Sequence, residues 1–89
     1  MNKILLITTK GCDACDIMRN AVHQAVGATK KDVECEDKDF SEVDKDFIKK
    51  YGIKDFPTTL FFKNNRLVRK EVATRPYIVV LRWIDIDFK

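Results

Sequence analysis

The sequence predicts an α/β domain with the element order βαβ-α-ββα. Its four-stranded mixed sheet should run in the order 2-1-3-4, with three helices on its two faces. Three observations carry that reading. An apolar, β-branched run at 3–9 is followed by a helix-periodic segment and a short alternating strand, the pattern of a right-handed parallel βαβ unit. Two further strand-like runs, 58–63 and 66–72, are separated only by Asn64-Asn65, which suits a tight hairpin because Asn tolerates positive φ. A last apolar segment then opens at Pro76.

Each element has its own local signal. The run at 3–9 has no helical period and reads as a buried strand, broken by Lys10-Gly11. Ile17, Met18, Ala21, Val22, Ala25 and Val26 repeat as one face of a helix, with Arg19, Asn20, His23 and Gln24 opposite and Gly27 as the expected stop. Val33 and Cys35 alternate with Asp32, Glu34 and Glu36, giving a second strand at 32–36. Ser41, with Asp44 three residues on, resembles a helix start. Val43, Phe47, Ile48 and Tyr51 supply its apolar stripe, and Gly52 its end. The hairpin strands follow, and Pro76 fits the first turn of a last helix reaching to about residue 86.

The 89 residues form one domain, 1–89, since single cores usually span about 50–200 residues. No apolar run approaches the roughly 20 residues of a membrane span, and the start has no leader pattern. A cytoplasmic, reducing compartment and a monomer are expected, with no membrane partner. The net charge of +3 is too weak to imply nucleic acid. It is unevenly placed: +3 over 1–31, −6 over 32–46 and +6 over 47–89. The acidic stretch reads first as a solvated helix and loop, and alternatively as an electrostatic guide for a partner.

Chemistry centres on the cysteines Cys12, Cys15 and Cys35. Their odd number excludes a full disulfide framework, and C-x-x-C in a cytosolic chain points to redox chemistry or metal. Cys12 lies between a buried strand and an amphipathic helix. The free N–H groups of a helix start stabilise a thiolate there, so Cys12 is expected to be the nucleophile. Cys15, one turn inside, is placed to resolve a mixed disulfide on Cys12. Lys10 favours the Cys12 thiolate, while Asp13 and Asp16 oppose it. Zinc would want four ligands such as Cys12, Cys15, Cys35 and His23. His23 falls on the polar helix face, where an exposed residue is expected, and Cys35 reads as a small core residue on an alternating strand. No metal and no cofactor are expected; a ligand role for Cys35 and inert cysteines remain the alternatives.

With these residues in place the chain resembles the thioredoxin superfamily. Two motifs in order carry the resemblance. One is Gly11-Cys12-Asp13-Ala14-Cys15 after a hydrophobic strand. The other is Tyr51-Gly52-Ile53-Lys54-Asp55-Phe56-Pro57-Thr58, leading into Thr59-Leu60-Phe61-Phe62-Lys63-Asn64-Asn65. The resemblance covers nearly the whole chain. It implies the thioredoxin fold, a cis Phe56–Pro57 peptide opposite the dithiol, and a substrate groove lined by Phe56, Pro57, Thr58 and Gly11. It implies a dithiol–disulfide oxidoreductase of redox homeostasis. Its partners would be disulfide-containing proteins and either a thioredoxin-reductase-like or a glutathione-based electron donor.

The departures bear on the partner. Gly11 stands where thioredoxin has tryptophan, and Asp13-Ala14 where it has glycine–proline. Leu6 replaces its buried acid, and Ala73 the glycine after the fourth strand. Glutaredoxin's proline–tyrosine between the cysteines is absent. Its glycine-rich, aspartate-bearing glutathione turn is replaced by Ala73-Thr74-Arg75-Pro76. A glutathione-dependent reductase, with Lys10 or Arg75 pairing a carboxylate, is therefore the second reading. A feebly active interaction module is the third. Its support is the apolar last helix, Tyr77, Ile78, Val79, Val80, Leu81, Trp83 and Ile84, which is otherwise read as wrapping the sheet.

Overall fold

At the centre of the sheet lies β1 (Asn2–Thr8). In the computed structural model, which describes Met1–Lys89, β1 pairs in parallel with β2 (Glu34–Asp39). On its other side it pairs antiparallel with β3 (Thr58–Lys63), and β4 (Arg66–Val72) closes the order β2-β1-β3-β4. A strand paired on both edges and covered on both faces has no solvent side, which is why residues 4–7 are all apolar. Ile4 and Leu6 face α1 (Asp13–Ala28) and α3 (Tyr77–Asp87). There they join Met18, Ala21, Val22 and Ala25, together with Phe61, Val80, Ile84 and Phe88. Leu5 and Ile7 face the other way, with Leu60 and Ile53, under α2 (Lys45–Tyr51).

The ends of the elements follow from their caps. Asp44 accepts from the N–H groups of Asp46 and Phe47 and starts α2. Gly52, at φ 61°, ends it by donating to Ile48 and Lys49 carbonyls. Asn64 and Asn65 take φ of 52° and 67°, the left-handed pair that a two-residue hairpin needs. Arg69 on β4 donates to Asp87 at 2.6 Å and lies over the Trp83 ring, fastening α3 across the sheet.

Five expectations from the sequence are corrected. The second strand runs Glu34–Asp39, not 32–36. Its last residues are charged because an edge strand is held to β1 by backbone pairing, and apolar alternation stops being informative there. Ser41 does not start α2. It sits in a short 3₁₀ turn, Phe40–Glu42, whose cap is Asp39, and Val43 follows that turn instead of opening the helix. Gly27 does not stop α1, which continues to Ala28 with Thr29 as its cap. Pro76 precedes α3 as its cap residue, its carbonyl accepting from Val79 and Val80. Ile17 is 59% exposed, because the buried face of α1 is centred on Cys15, Met18 and Val22 instead.

Candidate active site

Cys12 is the residue that caps α1. Its sulfur accepts from the Cys15 N–H at 3.0 Å, as a serine or aspartate oxygen would at a helix start. Its carbonyl accepts from Cys15 and Asp16. Cys12 and Cys15 are joined in a disulfide, with Cα atoms 5.2 Å apart. Exposure separates the two: Cys12 is partly exposed at the surface, while Cys15 is 1% exposed. Only Cys12 can be approached from outside. Gly11, exposed at φ 68°, makes the turn that delivers the chain from β1 to the cap, a backbone region costly for any residue with a Cβ.

The Pro57 loop arrives at the same end of the sheet. β1 ends at Thr8 just before the dithiol, β3 begins at Thr58 just after Pro57, and the antiparallel register sets Ile7 against Thr58. The Phe56–Pro57 peptide is cis. Pro57 is buried, and its carbonyl accepts from the Ala73 N–H at 3.0 Å. Thr58 Oγ1 donates to the Asp55 carbonyl at 2.6 Å. The Phe56 ring stands edge-on to Phe40. One strand residue inward, Thr59 pairs with Leu6, and its hydroxyl is buried without a partner.

A polar cleft of about 450 Å³ opens beside Cys12. Lys10, Asp13 and Asp16 line it, as their positions flanking the motif suggest, and so do Arg19, Asp37 and Lys38. Arg19 bridges Asp16 at 2.7 Å and Asp37 at 3.2 Å. The sequence places Arg19 only on the polar face of the helix, and Asp37 lies beyond the strand end read there. Cys35 is not bonded to either motif cysteine. Burial first, and then the Asp37 carboxylate, push its thiol up to about 11. His23 is half-exposed, but its Nε2 stands 3.3 Å from Asp37 Oδ2.

No protein-family model and no curated protein sequence matches this chain. Solved structures do match along nearly its whole length. Thioredoxin-2, a component of malaria parasite protein secretion machinery, superposes with a TM-score of 0.84 at 16% identity, covering 97% of this chain and 82% of its own. A malarial protein gives 0.83 at 16% identity, over 100% and 99%. A mutant thioredoxin from Halobacterium salinarum gives 0.84 at 17% identity, over 99% and 75%. The chain has the thioredoxin fold. Within that fold the close cysteine pair stands at the start of the first helix, at the end of the sheet where the proline loop begins β3.

Proposed function

We propose that this thioredoxin-fold protein is a dithiol–disulfide oxidoreductase acting on protein disulfides. The observation that carries the reading is the asymmetry of the pair: Cys12 partly exposed at the helix start and accepting a backbone N–H, Cys15 buried behind it. In the reduced protein the Cys12 thiolate attacks one sulfur of a substrate disulfide. That S–S bond breaks, a Cys12–substrate mixed disulfide forms, and the first substrate thiolate leaves and takes a proton. Cys15 then loses its proton and attacks Cys12 Sγ, releasing the second substrate thiol. Two electrons pass to the substrate, and the Cys12–Cys15 disulfide remains for an external thiol donor to reduce. Leu6 is fully buried and apolar, so the Cys15 proton leaves without help from an acid at that position.

In the same reading Gly11 and Phe56 face the substrate groove, the buried Pro57 and Thr58 fix its backbone from beneath, and Lys10, Asp13 and Asp16 set the charge around Cys12. The protein works as a monomer in a reducing, cytoplasmic setting. No helix is long and apolar enough to cross a membrane. Insulin reduction with thioredoxin reductase, run beside a glutathione-coupled assay, tests the donor. Cys12→Ser should abolish exchange, and Cys15→Ser should accumulate a mixed disulfide. An adduct on Cys12→Ser but none on Cys15→Ser would reverse the roles. Inactivity of the folded protein in both assays would favour the interaction module instead. For that reading the exposed Ile78 and Ile86 on α3 are the relevant surface.

A further inference from the structure

Away from the dithiol, His23, Cys35 and Asp37 converge between α1 and the edge strand β2. Residues two apart on a strand share a face. Cys35 and Asp37 pair with Ile4 and Leu6, so they sit on the face that α1 covers, and Cys35 packs against that core. On α1, Arg19 and His23 are one turn apart and adjacent on the helix surface. Arg19 reaches Asp37, so His23 is carried over the same strand. One imidazole nitrogen, one thiol sulfur and one carboxylate oxygen lie within 4.8 Å of one another. Asp37 Oδ1 is buried and accepts no hydrogen bond from the protein, while Arg19 and His23 approach its other oxygen.

We propose that His23, Cys35 and Asp37 form a three-ligand site for a divalent zinc ion, with water in the fourth position. The donor set selects the metal. Magnesium and calcium take all-oxygen shells, whereas a mixed nitrogen, sulfur and oxygen set suits zinc. Tetrahedral zinc, with bonds of about 2.0–2.3 Å, holds its ligand atoms roughly 3.3–3.8 Å apart. His23 Nε2 and Asp37 Oδ2 already stand 3.3 Å apart, and the widest pair of the three needs to draw in by at most about an ångström. His23 can supply that motion, since its side chain is 52% exposed. Arg19 holds the Asp37 carboxylate in place beside His23. Coordination displaces the Cys35 thiol proton to solvent. His23 lies about 12 Å along α1 from Cys15, eight residues at 1.5 Å each, so the ion would use neither sulfur of the dithiol, although Asp37 also lines the cleft beside Cys12; it would tie α1 to the sheet edge.

The test uses the oxidised protein under anaerobic conditions, so that Cys12 and Cys15 are locked in their disulfide and only Cys35 can offer sulfur. Zinc is titrated against a chromogenic chelator, and cobalt is added as a spectroscopic probe. One zinc per chain and a thiolate-to-cobalt charge-transfer band are expected. Cys35→Ser should erase the band. His23→Gln and Asp37→Asn should each weaken zinc binding roughly tenfold or more, since even outer-shell changes cost ~10–100-fold. His23→Gln alters an exposed side chain and so separates ligation from folding. Failure of the folded wild type to take zinc from the chelator would overturn the proposal. So would a cobalt band that survives Cys35→Ser, or zinc affinity unchanged in His23→Gln.

Discussion

Ala73 occupies a backbone position that suits glycine. Its φ is 74°, in the left-handed region where a Cβ crowds the following carbonyl and costs roughly 1–2 kcal/mol. Its N–H nevertheless matters, because it donates to the Pro57 carbonyl at 3.0 Å and ties the turn after β4 to the proline loop. Ala73→Gly keeps that N–H and relieves the crowding. Against this gain stands glycine's greater freedom in the unfolded chain, about 0.5–1 kcal/mol. The net expectation is stabilisation by about 0.5–1 kcal/mol, or roughly 2–8 °C in Tm for a domain of this size. Urea unfolding should show the midpoint rising with an unchanged slope. Disulfide reduction should proceed at the wild-type rate, since nothing at the dithiol moves. Equal or lower stability of Ala73→Gly would refute the reasoning. A stabilised variant that reduced substrate more slowly would show instead that the Ala73 methyl itself meets the substrate.

Three further outcomes are expected. In metal-free oxidised protein at pH 8, Cys35 should alkylate about 100-fold more slowly than a thiol at 9.0, because its thiolate forms only as pH rises toward about 11; mass spectrometry showing reaction at the rate of free glutathione would contradict this. Asp44→Ala removes the acceptor of two N–H groups at the start of α2 and should cost ~1 kcal/mol in chemical denaturation. Phe61→Ala empties a fully buried site between Trp83 and Phe88 and should cost about 3–5 kcal/mol in chemical denaturation.

The parts of the fold legible in the sequence were those with apolar periodicity or turn chemistry. β1 is buried on both faces and reads as an unbroken apolar run. The hairpin at Asn64-Asn65 needs two left-handed residues and has two asparagines. The dithiol was legible because its position depends only on the junction of a strand with a helix. β2 was harder to place. Beyond Cys35 it carries Glu36, Asp37, Lys38 and Asp39, and no hydrophobic pattern marks a strand held by main-chain bonds at an edge. Misplacing its end hid Asp37, and with it the cleft floor and the approach to His23. Ile17 failed for a different reason: a stripe two residues wide fits two neighbouring helix faces, and only packing against α3 and the sheet chooses between them.

The acidic stretch at 32–46 illustrates how a charge run resolves into local chemistry. Glu36 pairs with Lys3 at 2.7 Å, and the hydrogen bond from Lys3 holds its carboxyl below the usual range. Asp39 accepts from Ser41, whose hydroxyl likewise lowers it, and caps the 3₁₀ turn with Glu42 answering from the far side. Asp44 caps α2, and Asp46 sits in its first turn, where negative charge is favoured. Glu36, Asp39 and Asp44 are thus each held by an ion pair or a cap. Asp37 differs. It is held by Arg19 from α1, faces the cleft beside Cys12, and keeps one buried oxygen unpaired. Asp37, with His23 and Cys35, is the part of this segment that the proposed zinc ion would use.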